Sequence, residues 1–157
     1  MKYGNPSVEY SFATSLKADP IKGLLRNCGL PYEDIDPHLR HFIVAKSDDD
    51  LIGVIGMEGY GKIGLLRSLA VAEAYRGRGV AKALYARILA HAHLQGVGEL
   101  FLLTNTAEGF FSKIGFHKTI RDSVPESIKT TKEFQSLCPS TTVCMAKRID
   151  KQLGEHE

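Results

Sequence analysis

Little in this 157-residue chain asks for a special environment. Cysteine is scarce: Cys28, Cys138 and Cys144 are too few and too unevenly spaced for a disulfide framework. The charge balance is nearly level, at +2, and the basic residues are scattered rather than striped. Nucleic acid is therefore not expected as a partner. No apolar run approaches the length of a membrane span. The opening MKYGNPSVEY has no apolar h-region, so no signal peptide is expected. Metal-ligand spacing is also missing: His38 and His41 stand three apart without a third ligand, and His91 and His93 cannot share one helix face. Without repeats or a low-complexity linker, the expectation is one domain over residues 1–149 and a polar tail over 150–157. A cytoplasmic, reduced protein is the default, and 43% hydrophobic with 24% charged residues suits a soluble globule with a substantial core.

What the chain does have is concentrated in residues 65–94, LLRSLAVAEAYRGRGVAKALYARILAHAHL. Leu65, Leu66, Leu69, Ala70 and Val71 read as a buried strand. A basic glycine-rich turn follows, Arg76-Gly77-Arg78-Gly79, and then apolar residues recur at Val80, Ala83, Leu84, Ile88, Leu89 and Ala92 with helical spacing. A strand, a glycine turn and a helix N-terminus gather unpaired backbone N–H groups at the positive end of a helix dipole. Gly77 and Gly79 leave room for an anion, and Arg76 and Arg78 add charge. The ligand chemistry is that of a phosphate or pyrophosphate. Taken alone, the same residues also suit an ordinary surface turn. The spacing is neither the P-loop GxxxxGK[ST] nor the dinucleotide GxGxxG.

The order Leu69-Ala70-Val71, then Arg76-x-x-Gly79-x-Ala81, resembles the acetyl-CoA pyrophosphate loop of the GNAT superfamily of N-acetyltransferases. Downstream, Phe111-Ser112-Lys113-Ile114-Gly115-Phe116 is similar to that superfamily's F/Y-x-K-x-G-F motif. Within the superfamily, residues 101–111 with Val124-Pro125-Glu126 resemble the acetyltransferase domain of N-acetylglutamate synthase. LLRSLAV and Glu133-Phe134-x-x-Leu137-Cys138-Pro139 are nearer still to the stand-alone GNATs associated with arsenic-resistance operons.

The rest of the chain is compatible with that fold. Residues 8–13 read as a first strand. Asp19 and Pro20 are expected to cap and open a helix that ends at Cys28-Gly29. Residues 31–41 suggest a short helical piece interrupted at Pro37. Residues 42–45 and 51–57 make a hairpin around Asp48-Asp49-Asp50. Gly59-Tyr60-Gly61-Lys62 is expected as a second turn, leading into a strand over 63–71. Residues 99–103 form a buried strand, and Asn105 with Glu108 suits the cap of a short helix stopping at Gly115. Residues 116–120 and 142–149 are further strands, with helix inside 125–137. The fold class is mixed α/β (α+β), GNAT-like: a mostly antiparallel sheet of six or seven strands with helices on both faces.

The resemblance implies direct attack of an amine on the thioester of acetyl-CoA. That requires a neutral amine, donors for the developing oxyanion and a proton for the leaving thiolate. Coenzyme contacts are implied for Leu69, Ala70, Val71, Arg76, Gly77, Arg78, Gly79, Val80, Ala81, Thr104, Asn105 and Phe111. The main chain near Leu69 or Val71 is implied as pantetheine partner and oxyanion donor. Many relatives carry a general-acid tyrosine where this chain has Phe111, and an asparagine where it has Thr104. Water or the amine's own proton then has to serve the thiolate. Glu58 is the candidate for taking the amine proton through water, with Tyr60 as a weaker alternative and an exposed turn carboxylate as the competing reading. Arg67 interrupts an apolar strand and needs solvent or an anion, so a substrate carboxylate suits its planar fork. Thr141 falls where the glutamate branch holds substrate, although the arginine used there is missing.

These expectations describe an acetyl-CoA-dependent N-acetyltransferase of a small amine, an amino acid or a similar compound, with no metal. The resemblance also allows a homodimer. The alternatives are acetylation of a protein amine and a non-catalytic acyl-CoA-binding sensor.

Overall fold

A computed structural model describes residues 7–136 and 142–150. Seven strands are hydrogen-bonded in the order β1-β2-β3-β4-β5-β7-β6. They are β1 Val8–Phe12, β2 Phe42–Ser47, β3 Asp50–Tyr60, β4 Ile63–Val71, β5 Glu99–Thr104, β6 His117–Lys118 and β7 Val143–Arg148. Pairing is antiparallel for β1–β2, β2–β3, β5–β7 and β6–β7, and parallel for β4–β5. The expected mixed, mostly antiparallel sheet is therefore present. The helices are α1 Ala18–Asn27, α2 Val80–Leu94, α3 Glu108–Lys113, α4 Glu126–Lys129 and α5 Lys132–Ser136. Among the described residues, no helix is long and apolar enough to cross a membrane.

Residue contacts divide the chain into two compact units, Met1–Met57 with Ser68–Ala90, and Glu58–Arg67 with His91–Glu157. The first unit is built on the β2–β3 hairpin, whose turn carries Asp48 at φ 54°. Aspartate tolerates this left-handed conformation better than most residues. Phe42 pairs with Gly56, and a Cβ on Gly56 would fall 2.4 Å from the Phe42 ring. The ring thus occupies the space that a side chain would take. Ile21 and Leu25, one turn apart on α1, join Ile35, Leu39, Val44, Val54 and Ala70 in a buried core. From α2, Val80, Leu84, Tyr85 and Ile88 are buried. Gly53 on β3 lets the helix approach closely: a Cβ there would meet Val80 Cγ1 at 3.1 Å and Leu84 Cδ1 at 3.2 Å.

In the second unit, β5 pairs with β4 at Ile63–Leu65 and with β7 along its whole length. Leu65, Phe101, Leu103, Val124, Ile128, Phe134, Cys144 and Ala146 form its core. Arg121 ties the segment together, donating to Phe134 O at 3.0 Å and Thr142 Oγ1 at 3.1 Å, with its guanidinium over the Phe134 ring. Lys147 Nζ reaches Ile114 O at 2.7 Å, fixing the end of α3.

Several local expectations shift. The first helix starts at Ala18 with Lys17 at its N-cap, so Asp19 lies in the first turn rather than capping. Pro37 opens the 3-10 stretch Asp36–His41 instead of interrupting it, because proline at that position gives up no needed N–H. The strand expected over 116–120 is only His117–Lys118. The helix inside 125–137 is two short pieces, α4 and α5. The turn after β3 is confined to Gly61 and Lys62, and Gly59 and Tyr60 belong to the strand.

Candidate functional site

In the first unit, β4 ends at Val71 and a 3-10 turn over Glu73–Tyr75 leads to Arg76. Gly77 and Gly79 have φ of 78° and 85°, the left-handed region that favours glycine. A Cβ on either would find no other atom within 4 Å, so the loop is open on its outer side. Gly79 O accepts from Ala83 N at 3.0 Å, which makes Gly79 the residue before the helix proper. The N–H groups of Val80, Ala81 and Lys82, in the first turn of the 15-residue α2, then have no carbonyl within the helix to meet. Backbone donors and the positive end of a helix dipole converge here, the arrangement that holds a phosphate.

The two arginines of the loop have different surroundings. Arg76 folds back, donating from Nε to Val71 O at 2.9 Å and placing NH2 3.6 Å from Cys28 Sγ. It braces the loop against the end of β4. Arg78 lies with its guanidinium carbon 5.3 Å from the Tyr75 ring centroid, and its side chain is exposed. A cation resting on an aromatic face at the surface is available to an anion.

On β4, Ala70 is buried in the first unit's core, while Leu69 and Val71 are half-buried. Among the described residues, the ladder with β5 ends at Leu65↔Phe101, although β4 continues to Val71 and β5 to Thr104.

The second unit holds the expected polar residues Glu58 and Arg67 in one cluster. Glu58 and Tyr60 are two apart on β3 and therefore share a face. Glu58 is 2% exposed and Arg67 is 3% exposed. The Tyr60 hydroxyl donates to Glu58 Oε1, and Arg67 NH1 donates to Glu58 Oε2 at 2.6 Å. Arg67 Nε lies 3.4 Å from Glu133 Oε1 on α5. Arg67 shares its β4 face with Leu65, which packs in the same cluster as Phe134. The anions that Arg67 meets are thus the chain's own carboxylates, and Glu58 is a buried strand residue rather than a turn carboxylate. Ser68, just after Arg67, has φ 63°, which breaks the regular pleat there.

Glu133 was not among the expected site residues. Its signals in the sequence are its place in the Glu133-Phe134-x-x-Leu137 stretch of the resemblance and, indirectly, the counter-ion that a buried Arg67 in an apolar strand requires.

Thr104 is buried, and its Oγ1 accepts from Ala107 N at 2.9 Å, closing the turn into α3. Asn105, expected to cap that helix, does not: the N-cap residue is Ala107, with no side-chain cap hydrogen bond. Threonine at the last strand position already satisfies the N–H that a cap at Asn105 would have taken. Phe111 is 5% exposed and packs edge-on against Phe110 and Phe116, at centroid distances of 5.2 and 5.5 Å. Thr141 lies outside the described residues. Among those residues, no group of three or more His, Cys, Asp or Glu side chains is placed to hold a metal.

Comparison with known proteins agrees with this arrangement. Residues 38–118 match the acetyltransferase (GNAT) domain. An uncharacterized N-acetyltransferase of Chlorobaculum tepidum is 34% identical over 97 residues, covering 61% of this chain and 62% of that protein. Among solved structures, N-acetylglutamate synthase of Neisseria gonorrhoeae complexed with coenzyme A and N-acetyl-glutamate is similar. Its TM-score is 0.79 at 22% identity, over 94% of this chain and 36% of that one. Rv2747 of Mycobacterium tuberculosis in complex with CoA has a TM-score of 0.74 at 21% identity, over 89% of this chain and 98% of that one. The chain thus spans under two thirds of the Chlorobaculum relative and about a third of the synthase. The fold, the two sequence motifs and the domain match agree, and the chain belongs to the GNAT acetyltransferase family.

Proposed function

We propose that the protein transfers the acetyl group of acetyl-CoA to the amine of a small molecule, an amino acid or an amino-acid-like compound. The observation that carries this reading is the loop at α2, where two glycines at positive φ precede a helix whose first N–H groups lack intrahelical partners. In a GNAT domain such a loop suits the coenzyme's pyrophosphate. Gly77, Gly79, Val80 and Ala81 supply backbone donors, Arg78 supplies charge, and Arg76 keeps the loop in shape. The end of the β4–β5 ladder supports a role for Leu69, Ala70 and Val71 toward pantetheine, with Leu69 or Val71 N–H as the oxyanion donor. By family likeness, Thr104, Asn105 and Phe111 are proposed as further coenzyme contacts.

The coenzyme supplies the activated acetyl group. The amine nitrogen forms the new bond to the acetyl carbon, and the carbon–sulfur bond breaks with its electron pair on sulfur. Glu58 takes the proton that the ammonium must lose before it attacks. The thiolate is protonated by water or by the second amine proton, since Phe111 has no hydroxyl. Arg67 and Thr141 are proposed, by family likeness, to contact the acceptor substrate. Any carboxylate on the substrate has to share Arg67 with Glu58 and Glu133. The amino-acid class is supported by the likeness to N-acetylglutamate synthase, within the third of that protein that the chain spans. We assign the reaction to the cytoplasm, where Cys28 and Cys144 remain free thiols, and to a homodimer by family likeness.

A second reading is favoured by one observation. Phe111 is buried in an aromatic cluster with no hydroxyl to offer, which suits a domain that binds acyl-CoA without turning it over. Thiol release from acetyl-CoA across a panel of amino acids and peptides separates the two. Release with one amino acid supports the enzyme. Tight coenzyme binding without release across the panel supports the sensor.

A further inference from the structure

Glu58 is poorly placed to touch an amine itself. Its side chain is buried, and each of its two oxygens already accepts a hydrogen bond, one from Tyr60 and one from Arg67. Each oxygen keeps a second lone pair, but the carboxylate is only 2% exposed, so burial rather than saturation keeps a substrate amine from it. Tyr60 is the more exposed member of the pair and lies two residues along the same strand. A phenol oxygen both donates and accepts, so it can receive a proton on one side while passing its own to the other.

Resting on the acetyltransferase reading above, we propose that Tyr60 and Glu58 form a two-membered proton relay, with Tyr60 as the group that meets the substrate's ammonium. An N–H proton of the ammonium moves to Tyr60 Oη as the Tyr60 proton moves to Glu58 Oε1. The products are a neutral amine, an intact phenol and a protonated Glu58, which later returns its proton to solvent through the same phenol. No electrons change hands and no co-reactant is needed. The charged groups at the relay include Glu58 on β3, Arg67 on β4 and Glu133 on α5. Arg67 stays protonated throughout and releases no proton at working pH. It therefore holds Glu58 Oε2 in place and leaves Oε1 as the receiving oxygen, while Glu133 fixes Arg67 from its other side. Arg67 and Glu133 are positioning residues.

The test compares wild type, Tyr60→Phe, Glu58→Gln and the double variant, using an amino acid that wild type acetylates. Coenzyme release is followed from about pH 6.5 to 10, with acetyl-CoA affinity and melting temperature measured alongside. Each single variant should lose about a hundredfold in kcat near neutral pH. Each should bind acetyl-CoA as wild type does and regain rate about tenfold per pH unit, as solution deprotonates the amine instead. The double variant should be no slower than either single one, since the two groups act in series. Tyr60→Phe with wild-type kcat and pH profile overturns the relay, as do losses that multiply in the double variant. If Tyr60→Phe does not fold, Glu58→Gln decides by the same pH profile. A wild type that turns over no amine defeats the acetyltransferase reading itself, which a failure of the relay alone does not.

Discussion

Gly53 and Val80 pack so closely that a Cβ on Gly53 would stand 3.1 Å from Val80 Cγ1. Val80 is the first residue of α2, so this contact sets how near the helix N-terminus lies to β3. Replacing Gly53 with Ala forces the helix or the strand to shift by a few tenths of an ångström. The expected loss is about 1–3 kcal/mol of folding stability, typical of overpacking. Acetyl-CoA affinity should fall with it, because the first-turn N–H groups move. Urea unfolding and calorimetric titration check both, and unchanged affinity in a destabilised variant would separate packing from binding.

The ion cluster makes a different prediction. Arg67 lies buried between two buried carboxylates, at 2.6 Å from Glu58 and 3.4 Å from Glu133. Arg67→Met keeps the aliphatic stem but strands both negative charges. The expected loss is about 3–5 kcal/mol, the range for a broken buried pair. Glu133→Gln leaves Arg67 paired with Glu58 and should be markedly milder. Urea unfolding of the two variants gives the order, and equal stability would contradict the cluster's role.

Tyr85 provides a handle on alkaline stability. Burial of its side chain on α2 pushes its phenol pKa from 10.0 up to about 12. In the folded state it therefore keeps its proton at pH values where the unfolded chain has lost it. The stability linked to that proton is fully present below pH 10 and is lost as pH rises to about 12. A shift of this size corresponds to roughly 2–3 kcal/mol. Phenolate absorbance should show one tyrosine of the six ionising last, together with unfolding. Tyr85→Phe should remove that late step and flatten the alkaline loss of stability. An unchanged titration would show that Tyr85 is not the buried phenol.

Thr104 should matter to the turn rather than to the sheet. Its Oγ1 satisfies Ala107 N at 2.9 Å where α3 begins. Thr104→Val keeps the strand shape and removes the acceptor, at an expected loss of about 1 kcal/mol, as for other lost caps. Asn105→Ala should leave stability unchanged within error. The reverse order in thermal melts would restore Asn105 as the cap.

How much of this was legible beforehand depends on the kind of signal. The strand Ile63–Val71 and the helix start at Val80 follow from an apolar run, a glycine turn and helical spacing, and the structure has them at those residues. Local pattern suffices there because backbone and side chains want the same thing. The flanking Gly59 and Gly61 make Tyr60 look like part of a turn in the sequence. Only Gly61 has positive φ, and Gly59 continues the strand, so Tyr60 falls on the same face as Glu58. Composition alone cannot separate those two glycines. The partnership of Arg67 with Glu133 joins residues far apart in sequence, and nothing local to Lys132–Ser136 announces it. Arg76 likewise was expected to face an anion. Its preference for Val71 O and Cys28 depends on a chain path that spacing does not encode.

The central claim is that the loop before α2 holds the pyrophosphate of acetyl-CoA. Arg78 is exposed, rests on Tyr75 and belongs to no core, so its charge can be reversed without touching the fold. Calorimetric titration of acetyl-CoA into wild type and Arg78→Glu tests the claim most directly. Affinity should fall about tenfold or more with the melting temperature preserved. Wild-type affinity in the Arg78→Glu variant would contradict the assignment.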